Sequence, residues 1–572
     1  MTDQTPFPPP PPPPPAPAAA EVADSAAPPV TPAEPATATS GGGGRGKKLV
    51  IGGIAAAVIL GGGYGAYAAY DKLDGGGPQP HDVLPASTQA YLRVDLDPSA
   101  GQKIDLFKLI RKVPDLADEA GIKSDKQDIR ELVFRDIVAS ECDSLDYDKD
   151  VEPWLGDRLG VGGTIDDKSF LIAIQTKDED ASRAGIKKLF ACADEKYGIA
   201  YLDGYAIVGP QQSDVDAAVT ATKKASLGDK KEFVADFDEL GNQGVVSGWA
   251  DLEAIAKSPD IKELAGPEIE SLAKGGTVAA ALRTDGPAIE IALLSGATGD
   301  QKSTATNLAK LPEDTVAALS IAGIGDQVTT SFDSFVQEFD SAFSGFSDEA
   351  PSTSPTLTPD ELEELGLPAD FNEQFGDVGG GDGPIGAQSF IDQIEQATGL
   401  KLPEDLATLF GDNLTLAIGA DNLETVPTLS GPDGLSALNI AVALTSDKAA
   451  ALDLVQRIAQ LGSDNGIPLV AKPTDGGAVL ATNQDAADAI IDPKGSLGDQ
   501  KAFTSVIPDG DSSYGGVFVN VGTIIDKLIE AEPPADIRAD IESVGKISAF
   551  GVSAAKQGDD RTLTRVRLSF KD

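Results

Sequence analysis

Residues 90–96 alternate, the period of a strand with one face buried, and the apolar-rich runs 170–174, 200–208, 245–250, 278–282 and 289–294 also read as strands. Between these runs, Ile104, Phe107, Ile110 and Val113, and then Ile186, Leu189 and Phe190, recur at helical spacing. The same order returns later: a strand-like run at 438–444, a helical stripe Val455/Ile458/Leu461, then strand-like runs at 477–481, 515–521, 547–552 and 563–570. These patterns predict an α+β chain of two tandem homologous repeats on antiparallel-leaning sheets.

Local motifs recur in one order, which is the signature to look for first in a long chain. Leu84-Pro85-x-x-Thr88-x-Ala90 returns as Leu311-Pro312-x-x-Thr315-x-Ala317. The Leu155-Gly156-Asp157-x-Leu159 ending returns as Phe410-Gly411-Asp412-x-Leu414, and Ser226-Leu227-Gly228-Asp229-x-Lys231-x-Phe233 as Ser496-Leu497-Gly498-Asp499-x-Lys501-x-Phe503. The motifs set repeat 1 at 83–298 and repeat 2 at 309–572, the latter with an inserted loop at 344–388 rich in Pro, Ser, Thr and Gly. Insertions of that composition are tolerated in exposed loops.

What precedes the repeats is different. Residues 1–48 begin with an unbroken proline run, Pro8 through Pro15, and hold almost no apolar bulk, so a disordered tail with a polyproline II stretch is expected. Residues 49–70 carry no charge, close to the ~20 residues a membrane-crossing helix needs. Arg45, Lys47 and Lys48 lie before them and Asp71 and Asp74 after, which places the N-terminus in the cytoplasm, the bulk outside, and a linker at 71–82. Ala66-Tyr67-Ala68 has the small-x-small form of a cleavage site, so the competing reading is a signal peptide.

Charge and scarce residue types narrow the chemistry. A net charge of −46 repels nucleic acid and anionic lipid, and nucleic-acid binding is excluded. The single histidine, His81, removes multi-histidine metal sites and makes a Ser-His-Asp or Cys-His arrangement improbable. Cys142 and Cys192 are the two cysteines, and in an oxidising exterior they favour a disulfide over a reactive thiol. Both are absent together from the second repeat, as a bonded pair would be.

Other candidates read more simply as structure. Asp143, Asp146, Asp148, Asp150 and Glu152 cluster oxygens as a calcium loop does, but the central glycine of such a loop is missing. Phe332, Phe335, Phe339 and Phe343 form a stripe that fits a helix core, or the wall of an apolar groove. The Gly-Asp turns favour a backbone role, glycine for the turn and aspartate for its hydrogen bonds. Hydrolysis by paired carboxylates is compatible with the composition, but no pair stands out. No catalytic, cofactor-binding or metal-binding residue is singled out.

The order of proline-rich tail, single span, Leu84-Pro85-Ala86-Ser87-Thr88-x-Ala90-Tyr91, Val94-Asp95-Leu96-Asp97-Pro98 and Glu152-Pro153-Trp154-Leu155-Gly156-Asp157 resembles an uncharacterised, largely actinobacterial family of single-pass membrane proteins known only as a domain of unknown function. The resemblance spans residues 45–572. It implies a place in the bacterial plasma membrane and cell envelope, and no activity, cofactor or catalytic residue. The expected role is a non-enzymatic envelope module that binds or scaffolds. An apolar-ligand carrier is the alternative, and an envelope hydrolase a third.

Overall fold

The computed structural model describes residues 77–571, except 135–144, 266–272, 297–304, 333–390 and breaks of one to three residues. Residues 1–76, with the proline-rich tail and the apolar segment 49–70, lie outside the described residues. Among those described, no helix is long and apolar enough to cross a membrane.

The strands are β1 (Ala90–Asp95), β2 (Leu155–Thr164), β3 (Ser169–Thr176), β4 (Gly198–Leu202), β5 (Tyr205–Gly209), β6 (Val246–Asp251), β7 (Thr277–Asp285) and β8 (Ala288–Gly296). They continue as β9 (Thr315–Ala322), β10 (Asn413–Gly419), β11 (Ile440–Thr445), β12 (Val470–Pro473), β13 (Gly477–Ala481), β14 (Ser513–Val519), β15 (Ile547–Gln557) and β16 (Arg561–Phe570). All join one sixteen-stranded sheet in the order β12-β13-β11-β10-β9-β14-β15-β16-β8-β7-β6-β1-β2-β3-β5-β4. Every pairing between these strands is antiparallel. The two expected units therefore share a single sheet, joined where β8 pairs with β16.

Read outward from that junction, β8-β7-β6-β1-β2-β3-β5-β4 and β16-β15-β14-β9-β10-β11-β13-β12 are the same permutation. The recurring motifs make the same bonds in both halves. The Leu227 N–H donates to the Leu84 carbonyl at 2.8 Å, and the Leu497 N–H to the Leu311 carbonyl at 2.8 Å. The Asp157 carbonyl accepts from Leu96 N–H at 2.7 Å, and the Asp412 carbonyl from Gly323 N–H at 3.0 Å. Leu-Pro and Ser-Leu-Gly-Asp segments, far apart in sequence, thus clasp each other, with Leu227 and Leu497 both buried beneath the clasp.

Among the helices that frame the sheet are α1 (Glu179–Ala193), α2 (Gln212–Thr222), α3 (Lys231–Leu240), α4 (Leu252–Ile255), α5 (Lys448–Asp464), α6 (Gln484–Ile491), α7 (Lys501–Val506) and α8 (Val521–Glu530). Val215 of α2 and Phe233 and Phe237 of α3 pack with Ala173, Ile207, Trp249 and Ala281 on one face. Phe503 and Val506 of α7 pack with Phe518 and Ala549, and Ala486 and Ala487 of α6 with Val479 and Ala481, on that same face. The aromatic contacts match as well: Phe233 meets Trp249 edge-on at 5.6 Å, and Phe503 meets Phe518 edge-on at 5.2 Å. On the opposite face, Ile186 and Phe190 of α1 cover one flank, while Phe107 and Ile110 of the helix Ala100–Ile110 join a cluster that reaches Ile289 of the central strand β8. Leu454 and Val455 of α5 cover the other.

Two expectations differ in detail. The run 200–208 is not one strand but the hairpin β4–β5, turned by Asp203 and Gly204 at φ of 47° and 81°, the Asp-Gly form of a tight hairpin. Strand β2 has glycine at 156, 160, 162 and 163, so alternation does not show it. The Leu-Pro segment lies directly on it, and a Cβ at Gly160 would stand 2.3 Å from Pro80 Cβ.

Candidate functional site

Alternation sends Tyr91, Arg93 and Asp95 of β1 to the face beneath α3, and Ala90, Leu92 and Val94 to the other. The register carries that second face across neighbouring strands: Leu92 lies opposite Gly248, Gly248 opposite Ala280, and Ala280 opposite Leu293. Among the described residues, part of this face stays exposed. Leu293 is 40% and Ile291 36% exposed, although both sit near the middle of a sixteen-stranded sheet. Large apolar side chains left exposed together mark a binding surface more often than chance.

A concavity of about 440 Å³ lies on this face, bounded by Leu92, Val161, Phe170, Val278, Ala280 and Leu293 with Gly248 in its floor. Its volume falls within the range of small-molecule sites. Among its described lining residues there is no carboxylate and no cation. Gly248 deepens the floor, since a Cβ there would meet only Tyr91 O at 3.4 Å and Leu92 Cδ1 at 3.6 Å. Such a wall offers dispersion and release of water, and nothing to polarise a bond.

The opposite, buried face carries charge in a row. Arg158 of β2 lies opposite Asp95 of β1, Arg283 of β7 opposite Glu290 of β8, and Glu290 opposite Arg567 of β16. Arg283 Nε is 2.5 Å from Glu290 Oε1 and Arg567 Nε 2.9 Å from Glu290 Oε2, with all three side chains buried. Arg283 also donates to the Leu240 carbonyl at 2.9 Å, closing the C-terminus of α3. Arg93 Nη2 donates to Asp95 at 2.7 Å. Arg561 of β16 reaches Asp236 of α3 at 2.7 Å, and the same carboxylate accepts from Trp249 Nε1 at 2.7 Å. The Arg567–Glu290 and Arg561–Asp236 pairs cross from one half of the chain to the other, while Arg561 Nε and Arg567 Nε make no hydrogen bond of good geometry. Burial pushes the Tyr91 and Tyr205 phenols above their usual range, so both stay neutral beside the row.

The residues named from sequence fall as follows. Cys192, in the last turn of α1, is disulfide-bonded, and Cys142, the chain's other cysteine, lies outside the described residues. Asp146 caps the turn Tyr147–Val151 and pairs with Lys149 at 2.7 Å, while Asp150 pairs with Lys188 at 2.5 Å. Among the described residues, no group of three or more His, Cys, Asp or Glu is arranged to hold a metal. Phe332 is half-buried, and Phe335, Phe339 and Phe343 lie outside the described residues. His81 does not lie idle in a linker: its ring packs against Phe233 at 5.1 Å and Tyr91 at 6.1 Å, within the first clasp. Gly411 turns at φ 37°, and a Cβ there would stand 2.5 Å from the Thr445 carbonyl.

Two smaller features complete the survey. A concavity of about 430 Å³ beside the second Gly-Asp turn is lined by Gly323, Gly411, Asp412 and Asp447. One of about 220 Å³ at the end of β16 is lined by Lys501, Lys571 and three serines, and Lys571 is already paired with Asp526 at 3.2 Å.

No family model matches the chain, and neither does any curated protein. One solved structure, described as crystal form I of TP0453, aligns at 11% identity over 40% of this chain and 81% of its own, with a TM-score of 0.19. A likeness that slight carries no argument about fold or function.

Proposed function

We propose that this chain is a non-enzymatic binding module of the cell envelope that holds the hydrocarbon part of an amphiphile on the open face of its sheet. The observation that supports this reading is the uncharged 440 Å³ concavity around Gly248 and Leu293. A protein partner would be expected to meet a hydrogen-bonding rim around an anchor such as Phe170. An acyl chain asks only for apolar surface and shape. The matched strand order and matched clasps support a duplication of one ancestral unit. The uncharged run at 49–70, with cations before it, supports a tether that leaves the sheet outside the membrane.

The test uses the full-length protein in detergent-free nanodiscs with a fluorescent single-chain fatty acid as probe. Saturable binding is expected, together with its loss in Ala280→Trp, whose side chain fills the concavity while circular dichroism stays unchanged. Absence of saturable binding in the unsubstituted protein refutes the proposal. Protease shaving of intact cells tagged at both ends tests the placement: the C-terminal tag is lost and the N-terminal tag protected if the tether is retained.

A further inference from the structure

The register relates the two halves residue by residue. Leu92 and Leu319 stand 227 residues apart, as do Leu84 and Leu311 of the Leu-Pro motif. Val161 pairs with Leu92 as Leu416 pairs with Leu319, and Val161 and Leu416 stand 255 apart, as do Gly156 and Gly411. Following the ladders inward, Leu92-Gly248-Ala280-Leu293 corresponds to Leu319-Val517-Val552-Val566. Leu293 therefore matches Val566, and Ala292 matches Arg565. Ala292 and Arg565 face each other across the junction. An approximate twofold axis thus passes through that pair, perpendicular to the sheet.

The open apolar face must then occur twice, once on each side of the axis. In the second half Leu319 is 37% exposed, and Val517, Val552 and Val566 are half-buried. At the axis the two strips meet through Ile291 opposite Val566 and Leu293 opposite Thr564. None of these positions carries a charge, so no charged barrier divides the strips. An apolar surface with two arms related by the axis and a common centre fits a ligand of the same form.

We infer that the ligand is a two-chain amphiphile, one hydrocarbon arm on the Leu92–Leu293 strip and the other on the Leu319–Val566 strip. This rests on the function proposed above. Binding each arm removes a similar apolar area from water, so the second arm strengthens binding by roughly tenfold or more.

The experiment counts bound molecules on the full-length protein by native mass spectrometry, using oleate and a dioleoyl phospholipid as the two probes. Two oleates or one dioleoyl lipid per chain are expected, and Leu319→Glu lowers the oleate count to one and weakens the two-chain lipid roughly tenfold. Should Leu319→Glu fail to fold, the unsubstituted counts decide alone. A single oleate per chain, with the two-chain lipid bound no more tightly, overturns the two-arm inference and leaves the single-chain function standing. Binding of neither probe overturns both.

Discussion

Replacing Arg567 with methionine tests whether buried charge binds the two halves into one unit. Methionine nearly preserves the stem and removes the guanidinium. Glu290, only 3% exposed, then loses its nearer partner at Oε2 but keeps Arg565 at 3.9 Å from that oxygen and Arg283 at 2.5 Å from Oε1. Breaking a buried pair by deleting one partner costs about 3–5 kcal/mol, and the surviving bond puts this case near the lower end, about 3 kcal/mol. The second partner of Arg567, Asp285, is mostly exposed and adds little. Urea unfolding can be followed by two signals. Trp154 and Trp249, the chain's two tryptophans, both lie in the first half, whereas far-ultraviolet circular dichroism reports the whole sheet. In the unsubstituted protein the two transitions are expected to coincide, because the sheet is continuous through β8 and β16. Arg567→Met should move both midpoints down. Changing Arg283, Glu290 and Arg567 together to apolar residues of similar size should recover most of the loss. An Arg567→Met protein that unfolds at the original midpoint, or a triple variant weaker than the single one, refutes the reasoning.

Three further outcomes can be measured directly. Arg457 donates to both oxygens of Asp405 at 2.7 Å, which holds that carboxyl below the usual range. A depressed folded pKa gives stability that is present above the unfolded value, about 3.9, and lost as pH falls through the folded one. Asp405→Asn should therefore be less stable by about 1.5–3 kcal/mol at neutral pH, and the gap should close in acid; a gap that is the same at pH 7 and at acid pH contradicts this. Gly411→Ala meets both a positive φ and the Thr445 carbonyl, so a loss of about 1–3 kcal/mol is expected in thermal or urea unfolding. If Cys192 pairs with Cys142, closing a loop of about 50 residues, the unreduced protein shows no titratable thiol and Cys142→Ser loses about 4 kcal/mol; a free thiol in the unsubstituted protein ends that reading.

Much of the fold was legible because its signals are local. The strands β1, β3, β6, β7 and β8 in the first half, and β11, β13, β14, β15 and β16 in the second, stand out in sequence as short apolar-rich runs. The helical stripe Ile186/Leu189/Phe190 became α1, and Val455/Ile458/Leu461 became α5. The recurring motifs pointed to equivalent places but not to their purpose, since Leu84 and Leu227 meet only after 143 residues of chain have folded between them. Strand β2 was hidden because glycine carries no hydrophobic pattern, and its glycines answer to a neighbour, Pro80, that sequence distance conceals. The union of both halves into one sheet was hidden for a similar reason. The alternation in β8 and β16 shows that each has two distinct faces, and nothing in it names the strand that lies alongside.

The candidate site was illegible for a reason that also gives it meaning. Leu293 alternates with Ala292 and Leu294, which are buried, so its sequence pattern is that of a residue between two core positions. A half-buried strand normally puts polar residues on its second face, and β8 instead puts Ile291 and Leu293 there. The polar residues that would suit that face are inside: Glu290, Arg283 and Arg567 lie beneath α3 and are consumed in pairing. The strands at the centre of the sheet are thus inverted relative to an ordinary one, with ions turned inward and hydrocarbon turned outward. Ordered ion pairs across the junction hold the central strands in one sheet without contributing any side chain to the open face. An exposed apolar sheet costs solubility, and a chain with 91 acidic residues and a net charge of −46 has charge enough elsewhere to keep such a face from driving aggregation. That acidity is a condition under which an uncovered apolar face can persist in water.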